Sequence, residues 1–124
     1  MLGVSCSETP GASRFCDVVK RIEASADPMA DPSVFASPAV LRAAMEIRVR
    51  AYADLARVSP EEVAADVRTT AAQIARIDSA LAAGGYDSAL ANSASVTALM
   101  RDDTFIAASR SVERFAVRCV DGPT

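Results

Sequence analysis

The 124-residue chain has no histidine and no tryptophan, a single lysine among 13 basic residues, one asparagine and one glutamine. Without histidine it lacks the commonest general base and metal ligand, and no Ser-His or Cys-His nucleophile pair can form. Aromatic residues amount to 5%, and the β-branched residues are too scattered for a sheet protein. The glycines, at 3, 11, 84, 85 and 122, build no phosphate-cradling loop. No serine sits in a G-x-S-x-G or S-x-x-K context. No stretch reaches the ~18 consecutive apolar residues of a membrane span. The net charge of −3 argues against nucleic acid as a partner.

What is abundant points to helix. Hydrophobic residues make up 51% and charged residues 23%, enough for a buried core, and 26 positions are alanine, the best helix former. The length suits one domain. Residues 1–12 read as an N-terminal tail, 13–121 as a single helical domain and 122–124 as a short tail.

Four amphipathic stripes mark the main helices. Phe15, Val18, Val19 and Ile22 follow the i, i+3, i+4, i+7 pattern in a helix from about Ser13 to Ser25. Pro28, Pro32 and Pro38 in the stretch from Ala26 to Pro38 predict a loop with room for one helical turn. The second helix starts at Ser37-Pro38 and carries Leu41, Met45, Val49, Tyr52 and Leu55. The third opens on Ser59-Pro60-Glu61-Glu62, which reads as a capping box. It continues through Val63, Val67, Thr70, Ile74, Ile77 and Leu81 in heptad-like spacing and stops at Gly84-Gly85. Short helical turns are expected around 88–91 and 95–100. The last helix begins at Asp102 or Asp103 and runs along Phe105, Ala108, Val112, Phe115 and Cys119. The fold class expected is all-α: a four-helix up-down-up-down bundle with extra short helical turns.

Three cysteines, at 6, 16 and 119, show no C-x-x-C spacing. In an up-down-up-down bundle the start of the first helix and the end of the fourth lie together, which places Cys16 near Cys119. A disulfide there would imply an oxidising, extracytoplasmic setting; the alternative is two buried thiols. The run Met1-Leu-Gly-Val-Ser-Cys6-Ser7 resembles the end of a bacterial lipoprotein signal, with Gly3 where such signals carry an aliphatic residue. The basic segment and most of the apolar run of such a signal are missing, which would place the true start upstream or the present one after trimming. Cys6 is therefore either a lipidation site or a plain thiol in the tail.

The run Ser59-Pro-Glu-Glu-Val-Ala-Ala-Asp-Val-Arg68, the later Ala82-Ala-Gly-Gly-Tyr-Asp87 and a final helix ending in Cys119 resemble a group of small extracytoplasmic actinobacterial helical proteins. Many of these are predicted lipoproteins. The likeness covers residues 13–121 and includes an early and a late cysteine, matched by Cys16 and Cys119. It implies a fold and a compartment, and no catalytic motif comes with it.

Other constellations have simpler readings. Glu61, Glu62 and Asp66 could hold a cation, but acidic residues also suit the positive end of a helix. Asp102 and Asp103 read as caps rather than an acid–base pair, since neighbours on a helix point ~100° apart. Tyr52 and Tyr86 read as core and helix-end residues rather than haem ligands. Arg110, Arg114 and Arg118 form an i, i+4, i+8 row, either a solvated face or a contact for an anionic membrane surface. The function expected is that of a non-catalytic cell-envelope or secreted protein without a cofactor. It would bind a protein partner or a small apolar ligand, and a lipidated Cys6 would add contact with the membrane surface. A structural lipoprotein without a ligand pocket is the alternative, and an enzyme a more remote one.

Overall fold

The computed structural model describes residues 10–25 and 32–120. These form five α-helices and two 3₁₀ turns, with no strand among the described residues. The helices are α1 (Pro10–Ala24), α2 (Pro38–Val58), α3 (Glu61–Ala83), α4 (Ala94–Met100) and α5 (Asp103–Val120). The 3₁₀ turns span Pro32–Phe35 and Ser88–Asn92. The count differs from the expected four because the second of the anticipated short turns is a full helix. The Ser93 hydroxyl accepts from the Val96 N–H at 3.2 Å and fixes the start of α4. The first helix also begins earlier than expected, at Pro10, within the stretch assigned to the tail. A proline with its φ already near the helical value fits a first helical position.

The apolar stripes are the core. Phe15, Val18, Val19 and Ile22 of α1 pack with Ala51 and Leu55 of α2, Val63 and Val67 of α3, and Val112 of α5. A second cluster joins Val34, then Leu41, Ala44 and Met45 of α2, Ile74, Ile77 and Leu81 of α3, Val96 of α4 and Phe105 of α5. No α1 residue belongs to this second cluster. Tyr52 lies against both. The long helix α3 packs against α2, α4 and α5, while α1 packs against α2 and, more lightly, α5.

The helix ends follow local chemistry. The Ser37 hydroxyl caps α2 by accepting from the Val40 N–H at 3.2 Å, with Pro38 in the first position. The expected capping box at α3 does not form. Pro60 holds the N-cap place of α3, and the Ser59 hydroxyl donates back to the Leu55 carbonyl at 2.6 Å. Only two residues separate α2 from α3, so Ser59 serves the end of one helix instead of the start of the next. At the other end of α3, Gly85 N–H donates to Ala82 O at 3.0 Å and Tyr86 N–H to Leu81 O at 2.8 Å. This pair of bonds is a Schellman stop, with Gly85 at φ 69°. Asp102 starts α5 by accepting from the Phe105 N–H at 2.9 Å.

Cys16 of α1 and Cys119 of α5 form a disulfide, with Cα atoms 5.3 Å apart. Phe15 and Phe115 lie beside it edge to face, centroids 5.2 Å apart.

Candidate functional site

Two half-open clefts border α2 and α5 and share Arg48, Tyr52, Val112 and Glu113. The first, about 300 Å³, is walled by α1, α2 and α5. Val19, Ile22 and Leu55 form its floor and Glu23 stands on its rim. The second, about 290 Å³, lies among α2, α3 and α5 over Ile74 and Phe105, with Ser109 and Arg110 at its edge. The floors come from residues already packed in the core and lie beneath charges of both signs. The Arg48 guanidinium lies 5.5 Å from the Tyr52 ring centroid, a cation–π contact at the junction of the two clefts.

A third cleft, more open, lies between α3 and α5 and is lined by Asp66, Thr69, Asp103, Ser111 and Arg114. Here Ser111 donates to the Asp66 carboxylate at 2.6 Å and ties the two helices together.

The three arginines of the α5 row are all exposed, and they face different surroundings. Arg110 borders the α2–α3–α5 cleft, and Arg114 the cleft beside Asp66. Arg118 lies 3.4 Å from Glu62 of α3 and 4.5 Å from the Phe115 ring centroid. The acidic start of α3 is likewise divided, since Glu62 faces Arg118 and Asp66 accepts from Ser111. Among the described residues no group of three or more Cys, Asp or Glu side chains is placed to hold a metal ion. Cys6 lies outside the described residues.

Two polar residues outside the predicted sites organise the far end of α3. Gln73 is buried; its side-chain amide donates to the Leu99 carbonyl at 2.8 Å, and its oxygen accepts from Arg76 at 3.1 Å. It thereby fastens α4 to α3. Its sequence signal was its place on the buried stripe, three residues after Thr70 and four before Ile77. Tyr86 sits at φ 60°, a left-handed conformation that is uncommon for a residue with a bulky side chain. Its hydroxyl donates to Asp78 at 2.9 Å. Burial, then this hydrogen bond and the charge of Asp78, raise its pKa above the ordinary tyrosine value.

A disulfide points to an oxidising, extracytoplasmic setting, and among the described residues no helix is long and apolar enough to cross a membrane. No protein-family model, curated protein or solved structure matches the chain.

Proposed function

We propose that the protein is a non-catalytic cell-envelope or secreted helical module that binds a protein partner across the cleft between α1, α2 and α5. In this reading α1, α2, α3 and α5 make a four-helix up-down-up-down ring, and α4 is an appendage on α3. The observation that carries the proposal is the cleft itself. An apolar floor of Val19, Ile22 and Leu55 under a rim of Glu23, Arg48 and Glu113 has the anatomy of a protein interface. The disulfide and the likeness of Ser59–Arg68 to extracytoplasmic actinobacterial proteins support the compartment. Acylation of Cys6 would hold the module at the membrane, with Arg110, Arg114 and Arg118 available to anionic headgroups.

A small apolar ligand is the second reading. It is favoured by the adjacency of the two clefts, whose volumes of about 300 and 290 Å³ lie at the lower edge of the range of small-molecule sites. The partner reading is preferred because both clefts are open at the side, which suits a surface contact better than an enclosed ligand.

The test places a photo-crosslinker at Glu113, on the rim, and at Ser79, an exposed position on α3, in cells of the source organism. A discrete protein adduct from position 113 that Ala116→Arg abolishes, with none from position 79, supports the proposal. The same adducts from both positions, or none from 113, refute it. A small molecule retained in native mass spectrometry and lost in Ala116→Arg would move the assignment to the second reading.

A further inference from the structure

Among the described residues, Val40, Ile47 and Val117 are the large hydrophobic side chains left exposed. Two of them share one face of α2. Val40 is 46% and Ile47 52% exposed, and the exposed Ala43 lies between them. Spacings of three and four residues set all three on one apolar stripe, two turns long. The face that α2 buries in the bundle is a different one, carried by Leu41, Ala44, Met45, Ala51 and Leu55. Arg48 and Tyr52, which line the clefts, stand about 100° or more around the helix from Ile47, so the stripe belongs to neither cleft. Arg42 and Glu46 flank the stripe on one side. Their side chains are 66% and 55% exposed and approach each other only to 3.8 Å. An ion pair so loose and so exposed costs little to open.

We propose that this face of α2 pairs with the same face of a second copy of the chain, antiparallel, about a two-fold axis at Ala43. In that arrangement the stripe is complementary to itself. Ala43 meets its own image, and its small side chain lets the helix axes approach to about 8 Å, the short end of helix packing. Val40 then lies against Ile47 of the second copy, and Ile47 against that copy's Val40, which covers both exposed side chains. The axis stands perpendicular to the two helices, so the flank carrying Arg42 and Glu46 falls on the same side in both copies. Arg42 comes opposite Glu46 of the second copy and Glu46 opposite its Arg42, giving two matched charge pairs across the contact. A parallel pair would set that flank against the Ala44 and Ala51 side and leave the charges unmatched. The antiparallel order also suits the two helix dipoles. Two turns of one helix from each copy fall short of the ~1,200–2,000 Å² of a standard interface, so the dimer is transient, with a dissociation constant of about 0.1–1 mM. It leaves the clefts open and stands or falls independently of the cleft reading above.

Sedimentation equilibrium of the full chain at low salt, from about 10 µM to about 1 mM, tests the pairing. The weight-average mass is expected to climb from that of the monomer toward twice that value. Ile47→Arg should stay monomeric throughout. Arg42→Glu and Glu46→Arg each set like charges against each other twice in the dimer and should weaken it about tenfold, and the double reversal Arg42→Glu/Glu46→Arg should return it to within about threefold of the parent. All three positions are exposed, and far-UV circular dichroism verifies that each variant keeps its helix content. A second measurement reads the register. In a Cys6→Ser background, Ala43→Cys should give a disulfide-linked dimer under mild oxidation, because the two positions face each other within bridging distance. Ser79→Cys, at an exposed position on α3, should not. A parent that is monomeric at about 1 mM would overturn the proposal. So would an association that Ile47→Arg leaves unchanged, a double reversal no tighter than either single one, or equal cross-linking from positions 43 and 79.

Discussion

Replacing Gln73 tests whether a single buried amide holds α4 in place. Gln73 is 5% exposed, and its amide donates to the Leu99 carbonyl at 2.8 Å, in the last turn of α4. Carbonyls in the last turn of a helix have no partner within the helix, so this bond replaces one that α4 cannot make itself. In Gln73→Leu the shape is roughly kept and the donor is lost. Leaving the part-buried Leu99 carbonyl unmet costs about 1–2 kcal/mol, offset in part by the added apolar burial, so a net loss of about 1 kcal/mol is expected. Gln73→Glu can no longer donate to Leu99 O when ionised but keeps the contact with Arg76, so a loss similar to that of Gln73→Leu is expected near neutral pH. Urea unfolding followed by far-UV circular dichroism measures the losses, and hydrogen exchange should show α4 loosening before α3. Gln73→Leu as stable as the parent, with α4 equally protected, would refute the assignment of this bond.

Ile74→Ala and Leu81→Ala, each at 3% exposure on the buried face of α3, should each lose about 2–5 kcal/mol by urea denaturation. Gly85→Ala should lose about 1–2 kcal/mol in the same assay. Its cause is the left-handed backbone at φ 69° and not a clash, since nothing lies within 4 Å of the new Cβ. Gly84→Ala acts differently, because its Cβ would fall 2.4 Å from Leu90 Cδ1 and that side chain must move. Tyr86→Phe should lose about 1 kcal/mol below pH 10 by giving up the bond to Asp78. The raised Tyr86 pKa means that its contribution is complete below the ordinary value of 10.0 and fades as pH rises through the folded-state value. The gap between parent and Tyr86→Phe in thermal unfolding should therefore narrow above about pH 10.

The helical stripes were legible because burial imposes a period. Phe15, Val18, Val19 and Ile22 on α1, and the run from Val63 to Leu81 on α3, are buried as their spacing predicts. The pairing of Cys16 with Cys119 followed from chain direction and from which helices neighbour one another. Ser59 was misplaced because its two possible tasks, closing α2 and opening α3, look alike in sequence; the two-residue link decides between them. The helix α4 was visible only as a short turn, since it is seven residues long and its place depends on the remote Gln73 contact. The clefts had no sequence signal. They arise where helices far apart in the chain fail to close against each other, and their lining mixes core residues with surface charges. The positive φ of Tyr86 was equally hidden, because the preceding Gly-Gly pair announces a helix stop without saying how many residues enter the left-handed region.

The central claim is that this is an oxidised helical protein closed by a bridge between the first and last of its described helices. The most direct measurement is peptide mapping of the native protein from its own cells, alkylated before digestion with trypsin and never reduced. By the chain-entropy model, closing a loop of 103 residues stabilises the fold by about 4.7 kcal/mol, so the linked form should dominate. The account predicts one cross-linked species joining Phe15–Lys20 to the peptide that begins at Cys119, collapsing to two thiol peptides on reduction. Recovery of both peptides separately, with Cys16 and Cys119 alkylated, would contradict it.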